Sequence, residues 1–192
     1  MREIWFENTG TKLFAVEIGD GTPIILIHGG LANHLSCRGF AGPLDARFRV
    51  VTPDLRGAGR SHFAGPLSWE LLADDIAALV RELGLLRAVI GGVSFGSGVA
   101  VKVALRHPGL VEKLLVLNPA FGGRDLGLLP MQKVAMDTMD AAGKRAPAEG
   151  IEVILPLFDA LPADVRDRVR AVARTYDPAS VATTTAFMAS GA

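Results

Sequence analysis

The sequence predicts an α/β fold built on a mostly parallel sheet with helices on both faces. Two observations support this prediction. Short runs at 24–27, 88–93 and 112–119 are rich in Val, Leu and Ile, as buried strands are. Between residues 23 and 118 such runs alternate with longer segments of helical periodicity. Strands that are joined through helices in this way lie parallel in one sheet.

Turn and capping residues delimit the individual elements. EIWFENTG and KLFAVEIGDG predict an antiparallel hairpin with its turn near Gly10. A helix is expected around 33–44, ahead of the strand FRVVTP. SWELLADDIAALVRELG predicts the clearest helix, with Ser68 as its N-cap and Gly84 just beyond its end. Another helix is expected from Val99, after the third apolar run.

The pattern changes after Asn118. No further strand is expected, and the residues from Met131 onward predict helices and irregular segments. ADVRDRVRAVARTY is amphipathic. A helix start follows it at Asp177-Pro178, with the aspartate as cap and the proline at the first helical position. The last part of the chain is therefore predicted to be helical.

Composition argues against several classes of function. Lys+Arg and Asp+Glu each number 20, so no basic excess draws the chain to nucleic acid or to a membrane surface. No apolar run could span a bilayer, and MREIWFENTG does not resemble a signal peptide, so we expect a cytoplasmic protein. Cys37 is the only cysteine and is expected to be buried, and the four histidines lack ligand spacing. No metal and no cofactor are predicted.

One serine lies between a predicted strand and a predicted helix. Gly92-Val93-Ser94-Phe95-Gly96 matches the G-x-S-x-G pattern, in which the serine stands on a sharp strand-to-helix turn. Gly92 and Gly96 let the flanking backbones approach closely. Ser94 is therefore predicted to be a nucleophile, and the N–H of Phe95 is predicted to bind an oxyanion.

A second glycine motif follows the first apolar run. His28-Gly29-Gly30 is of the type that supplies the other N–H of an oxyanion hole, here from Gly30 or Leu31. We expect His28 to brace this loop by hydrogen bonds rather than to act as a base. The alternative is that the two glycines only turn the chain.

HGG, DLRGAGRS and GVSFG, in this order, resemble the α/β-hydrolase superfamily, and their spacing is similar to that of its small esterase, lactonase and haloperoxidase-like members. The resemblance covers about residues 4–119, and it implies an incomplete hydrolase core at 1–123. Residues 124–192 resemble the superfamily's helical cap or lid, with less specificity. In such proteins the DLRGAGRS loop is mainly structural, so Asp54 and Arg56 are expected to brace it.

A serine at position 94 favours acyl chemistry, because members that open epoxides or displace halide carry an aspartate there. The resemblance thus implies a serine hydrolase that attacks an ester, a lactone or a similar carbonyl through an acyl-enzyme. Its partner would be a small, apolar substrate, and the oligomeric state stays open. Two alternatives are a non-catalytic binding protein for small ligands and, less favoured because the phosphate-binding glycine spacing is absent, a nucleotide-binding domain.

The family's acid and histidine, which follow the serine along the chain, are not found. No histidine follows His107, which a helix of about 20 Å would separate from Ser94 at about 1.5 Å per residue. His34 and His62 are weak candidates for a base. Asp125 could replace the family acid. We therefore expect a truncated hydrolase whose 192 residues alone are inactive.

Three further expectations concern the sheet edge, the cap hinge and the apolar side chains of the last third. Truncation would leave 114–117 as an exposed edge strand. Gly122 and Gly123 are expected to hinge the cap. Several apolar side chains of the last third either line an acyl pocket or pack the cap helices: Leu128, Leu129, Met131, Met136, Met139, Leu155, Leu157 and Phe158.

Overall fold

The computed structural model describes residues 1–44, 47–119 and 129–190. Six strands form one sheet, and they are β1 (Arg2–Asn8), β2 (Thr11–Ile18), β3 (Thr22–Ile27), β4 (Phe48–Pro53), β5 (Ala88–Val93) and β6 (Val111–Leu117). The α-helices are α1 (Arg38–Ala41), α2 (Trp69–Glu82), α3 (Phe95–Arg106), α4 (Pro130–Glu149), α5 (Ala163–Ala173) and α6 (Pro178–Ser190). Short 3₁₀ helices occupy His34–Cys37, Gly42–Leu44, Pro108–Leu110 and Ile151–Phe158.

The strand order across the sheet is β1-β2-β4-β3-β5-β6. The last four positions in this order are parallel to one another, and β1 and β2 are joined as an antiparallel hairpin at one edge. Thr9 and Gly10 both have positive φ, 48° and 72°, as a two-residue hairpin turn requires. The predicted mostly parallel α/β sheet is confirmed.

Alternate residues of the central strands face opposite sides of the sheet. Ile25 and Ile27 belong to the larger core, which α2 and α3 complete on one face. Leu26 and Val50 pack on the other face against Cys37, from the helical segment that follows β3. Cys37 is buried, as expected, and burial raises the pKa of its thiol to about 11.

The helix signals are confirmed at α2 but not at the start of α3. The Ser68 hydroxyl accepts a hydrogen bond from Leu71 N–H at 3.1 Å, and Gly84 has the left-handed φ of 65°. Helix α3 begins at Phe95, four residues before the predicted Val99. Glycines at 96 and 98 weaken the local helix signal, and packing against β3 overrides it.

Strand β6 forms as predicted, but the burial that its apolar composition indicates is not observed. It lies at the edge of the sheet, and its apolar side chains from Leu114 to Leu117 are 36–39 % exposed. The exposed edge strand at 114–117 is confirmed. An apolar strand thus lies at a position where, among the described residues, it pairs with only one other strand.

The described residues after 128 are helical, as predicted. Asp177 Oδ2 accepts a hydrogen bond from Ser180 N–H at 2.7 Å, which confirms the cap of α6. Helices α4 and α6 pack closely, since a Cβ atom on Gly143 would lie 2.8 Å from that of Thr185. The boundary between core and cap at 123/124 lies outside the described residues, and this division stays a prediction. In the described ranges, no helix combines the length and the apolar character that crossing a membrane requires.

Candidate active site

Ser94 connects β5 to α3 in a backbone conformation that non-glycine residues rarely adopt. Its φ is 53° and its ψ is −118°, and this conformation is costly for any residue with a Cβ atom. Its N–H donates to the carbonyl oxygen of Leu117, at the end of β6, over 3.0 Å. The side chain is half-buried. The chain thus holds a single hydroxyl at a strained corner beside the carboxyl ends of the parallel strands.

The two glycines of the motif allow this corner to form. A Cβ atom on Gly96 would lie 2.5 Å from the carbonyl oxygen of Ile27, which is the last residue of β3. A Cβ atom on Gly92 would lie 2.6 Å from the backbone nitrogen of Ser97. Real Cβ atoms do not approach backbone atoms so closely, so α3 contacts the neighbouring strand only because these side chains are absent.

The loop after β3 lies beside Ser94. A Cβ atom on Gly29 would lie 3.6 Å from that of Ser94, which is an ordinary contact distance. Leu31, two residues later, has a φ of 47°. The N–H groups of Gly30, Leu31 and Phe95 make no hydrogen bond within 1–44, 47–119 and 129–190. The structure therefore places unpaired backbone donors on the loop beside Ser94 and at the start of α3.

His28 is fixed inside this loop. Its Nε2 accepts from Leu55 N–H at 3.0 Å, so the ring proton is on Nδ1, which donates to the carbonyl oxygen of Gly29 at 2.6 Å. Burial lowers the pKa of His28, which favours this neutral form. Both ring nitrogens are occupied, as expected of a bracing residue.

Asp54 joins the two loops that follow β3 and β4. Its carboxylate accepts from the N–H groups of His34 and Arg60, at 2.7 and 2.8 Å, and from His34 Nδ1 at 2.8 Å. Burial opposes the charge, but these hydrogen bonds keep the pKa of Asp54 below its usual value. Gly59, with a φ of 51°, packs directly on the carboxylate.

Arg56 connects the loop that follows β4 to helix α2 and to the hairpin. Its guanidinium forms a two-point contact with Asp75 of α2, with N–O distances of 2.8 and 2.7 Å. The remaining N–H groups reach the hairpin at the carbonyl of Asn8 and the hydroxyls of Thr9 and Thr11. These contacts are those of a structural residue.

The structure brings no histidine to Ser94. His34 is bound to Asp54, His107 Nε2 lies 2.7 Å from Asp74, and His62 is exposed. No hydrogen bond to Ser94 Oγ occurs in the part of the chain that the structure describes. The three other residues singled out in the sequence, Gly122, Gly123 and Asp125, lie outside the described residues.

A small cavity separates the β3 loop from the last helical part of the chain. Its volume is about 20 Å³, room for about one water molecule. Tyr176, Val181 and Thr184 line it on the helical side. The loop side and the floor are formed by His28, Gly29, Gly30, Leu31, Ala32, Leu55, Arg56, Gly57, Ala58, Leu67, Leu72 and Phe95. Most of this lining is apolar.

Helix α6 closes the cavity, a role that was not predicted from the sequence. Thr184 Oγ1 donates to Gly57 O at 3.0 Å, and the Phe187 ring packs on Trp69 and Phe95 with centroid distances of 5.3 and 6.1 Å. The predicted apolar set does not line the cavity: Leu129 and Met131 are exposed, Leu155 is buried against α4–α6, and Leu128 lies outside the described residues.

Residues 22–168 match the family model described as the alpha/beta hydrolase fold. The chain belongs to the α/β-hydrolase family. This membership confirms the resemblance inferred from the three motifs, and it makes the chain part of a hydrolase family. It does not assign a role to any one residue.

Three similar proteins are compared with the chain by identity and by the share of each length that matches. The AB hydrolase superfamily protein YisY of Bacillus subtilis is 37 % identical over 134 residues, which are 66 % of this chain and 50 % of the relative. The proline iminopeptidase of Neisseria gonorrhoeae is 35 % identical over 60 % of this chain and 36 % of its own length. A thermophilic esterase from Thermogutta terrifontis matches 100 % of this chain and 73 % of its own, with a TM-score of 0.78 and 25 % identity. This hydrolase chain thus spans half or less of the first curated relatives.

Proposed function

We propose that Ser94 is the nucleophile of a serine hydrolase that attacks an ester, a lactone or a similar carbonyl and passes through an acyl-enzyme. The observation that carries this proposal is the backbone of Ser94, with φ 53° and ψ −118°. Strained residues of this kind concentrate at active sites. The likeness to the Thermogutta esterase supports the same class of chemistry.

The oxyanion would be bound by Phe95 N–H together with the N–H of Gly30 or Leu31. These groups are unpaired within the described ranges, and Phe95 is the first residue of α3, where the helix dipole favours negative charge. Gly29 allows the loop to approach Ser94, and His28 keeps the loop in place. Charge that develops on the carbonyl oxygen would meet fixed donors without reorganisation.

The base that this chemistry needs is proposed to lie outside these 192 residues, together with the triad acid. Each of the four histidines is bound elsewhere or exposed, so none of them activates Ser94 in this arrangement. We accordingly expect no turnover from the 192 residues alone. The substrate is proposed to be small and apolar, in keeping with the apolar lining of the cavity.

The same absence of an imidazole at Ser94 favours a second candidate function, a binding protein for small ligands on this fold. A ligand would have to displace side chains between the β3 loop and α6, where the cavity holds about one water molecule, and would then be bound without turnover. The two functions differ in one measurable property, which is the reactivity of the Ser94 hydroxyl.

The deciding experiment reads the coding sequence beyond the Ala192 codon and treats its full product with a fluorophosphonate. We expect a continuing frame with an acid and a histidine, and labelling that Ser94→Ala abolishes. Ser36→Ala is the matched control, because Ser36 is exposed and should not change labelling. A stop codon after Ala192, combined with an unlabelled Ser94, would replace the hydrolase with the binding protein. Labelling that persists in Ser94→Ala would remove Ser94 from the mechanism.

A further inference from the structure

One side chain of α6 covers the loop that carries the proposed oxyanion donors. A Cβ atom on Gly30 would overlap the methyl group of Met188 and lie 2.8 Å from its sulfur. Met188 therefore rests on the face of Gly30, and the next atom near such a Cβ is the Cβ of Phe95, at 3.8 Å. The thioether thus contacts the loop on the side where Phe95 also lies.

The helix that carries Met188 is anchored on both sides. Its neighbour Phe187 packs on both Trp69 and Phe95, and the hydroxyl of Thr184 donates to Gly57 O. On the opposite side, α6 packs against α4 at Gly143. These contacts keep the backbone of α6 in place, whereas the methionine side chain is unbranched, with three rotatable bonds, and is only half-buried. The methionine side chain is therefore easier to displace than the helix that carries it.

The cavity under α6 is far smaller than a ligand. Its volume of about 20 Å³ compares with about 300–1,000 Å³ for sites that hold drug-sized ligands. Met188 does not line this cavity but covers one face of Gly30 beside it. A carbonyl group that binds on that face of Gly30 must displace the Met188 side chain. A short acyl group displaces the end of one flexible side chain, whereas a long one must also displace the anchored helix.

We propose that Met188 is a size-selecting residue, which admits short acyl groups to the face of Gly30 and hinders long ones. This proposal rests on the proposed function, because it assumes that the acyl group binds between Ser94 and Gly30. It specifies the substrate class as carbonyl compounds with short, apolar acyl chains. Met188 acts here through the space that it fills and takes no part in bond making.

The test measures access to position 94 and does not depend on the catalytic base. In the 192-residue chain, Ser94→Cys introduces a thiol that reacts with methyl, butyl and octyl methanethiosulfonate. Peptide mass spectrometry separates this thiol from Cys37, which is buried. We expect the octyl reagent to react at least about tenfold more slowly than the methyl reagent. Adding Met188→Ala should bring the two rates within about threefold of each other.

Two further variants make the result specific. Met131→Ala removes a methionine that is 77 % exposed on α4, and it should leave the octyl-to-methyl ratio unchanged. Met188→Val should give an intermediate ratio, and it serves if Met188→Ala does not fold. An unchanged ratio in both Met188 variants would overturn the proposal. Such a result would not touch the role of Ser94, which the fluorophosphonate experiment decides separately.

Discussion

Arg56 and Asp75 form a two-point ion pair inside the protein, with N–O distances of 2.8 and 2.7 Å and side chains only 1 % and 3 % exposed. Arg56 follows β4, and Asp75 belongs to α2. The same guanidinium binds Asn8 and Thr9 of the hairpin. Three parts of the sequence therefore depend on one buried charge pair.

Replacing Asp75 by asparagine should lower the free energy of unfolding by about 3–5 kcal/mol, because it leaves the Arg56 guanidinium buried without its counter-charge. Urea unfolding followed by circular dichroism measures this loss. Asp164→Asn is the matched control, since Asp164 pairs with Arg168 at the surface and should not shift the midpoint. Equal midpoints for the two variants would show that the buried pair does not stabilise the fold.

Gly96→Ala should destabilise the protein by about 1–3 kcal/mol or more, although alanine is the better helix former. The added Cβ would lie 2.5 Å from Ile27 O and would push α3 away from β3. Gly109→Ala is the control, because nothing lies within 4 Å of its added Cβ. The free energy of unfolding measures both effects. A Gly96→Ala protein as stable as the Gly109→Ala protein would contradict the close approach of α3 and β3.

Stability should fall when the pH drops below about 6.5, partly because of His28. Burial lowers the pKa of His28 in the folded chain, so the unfolded chain takes up a proton there first. The stabilising effect is fully present above about pH 6.5 and is lost towards the lowered pKa, at up to about 1.4 kcal/mol per pH unit. Urea unfolding at pH 7.5 and 5.5 tests this. His28→Asn, which keeps a polar side chain, should lose less stability over the same interval, and an equal loss would exclude His28 as the source.

Val116→Lys should reduce self-association of the 192-residue chain. Val116 is 38 % exposed on β6, where apolar side chains accompany a strand edge that no other strand pairs with among the described residues. A charge on such an edge hinders pairing with another copy. Sedimentation velocity over a range of concentrations measures the effect. Leu86→Lys changes an isolated leucine that is 89 % exposed and should leave the behaviour unchanged. If both lysines acted equally, net charge rather than the edge would explain the result.

Features with a local cause could be predicted from the sequence. The cap at Ser68, the left-handed Gly84 and the Asp177-Pro178 start of α6 each depend on neighbouring residues alone. The G-x-S-x-G corner was predictable for the same reason, because its strand and its glycines are adjacent to Ser94.

Features that depend on distant neighbours could not be predicted in this way. The composition of β6 alone suggests burial, because exposure depends on what lies beside the strand in the sheet. Its exposed edge was expected only from the resemblance, which implies an incomplete core. The contact of Met188 with Gly30 joins residues that are far apart in the sequence. Helix α6 has apolar or small residues on every side, so its periodicity does not indicate which of them faces the β3 loop.

The carbonyl oxygen of Leu117 accepts two hydrogen bonds, one from Ser94 N–H at 3.0 Å and one from Ser97 Oγ at 2.9 Å. Leu117 is the last residue of the exposed edge strand. The amide proton of Ser94 is therefore protected from exchange with solvent only while the end of β6 stays paired with β5. The exchange rate of this proton therefore measures how often the edge of the sheet opens. Each opening also removes a hydrogen bond that holds the strained backbone of Ser94.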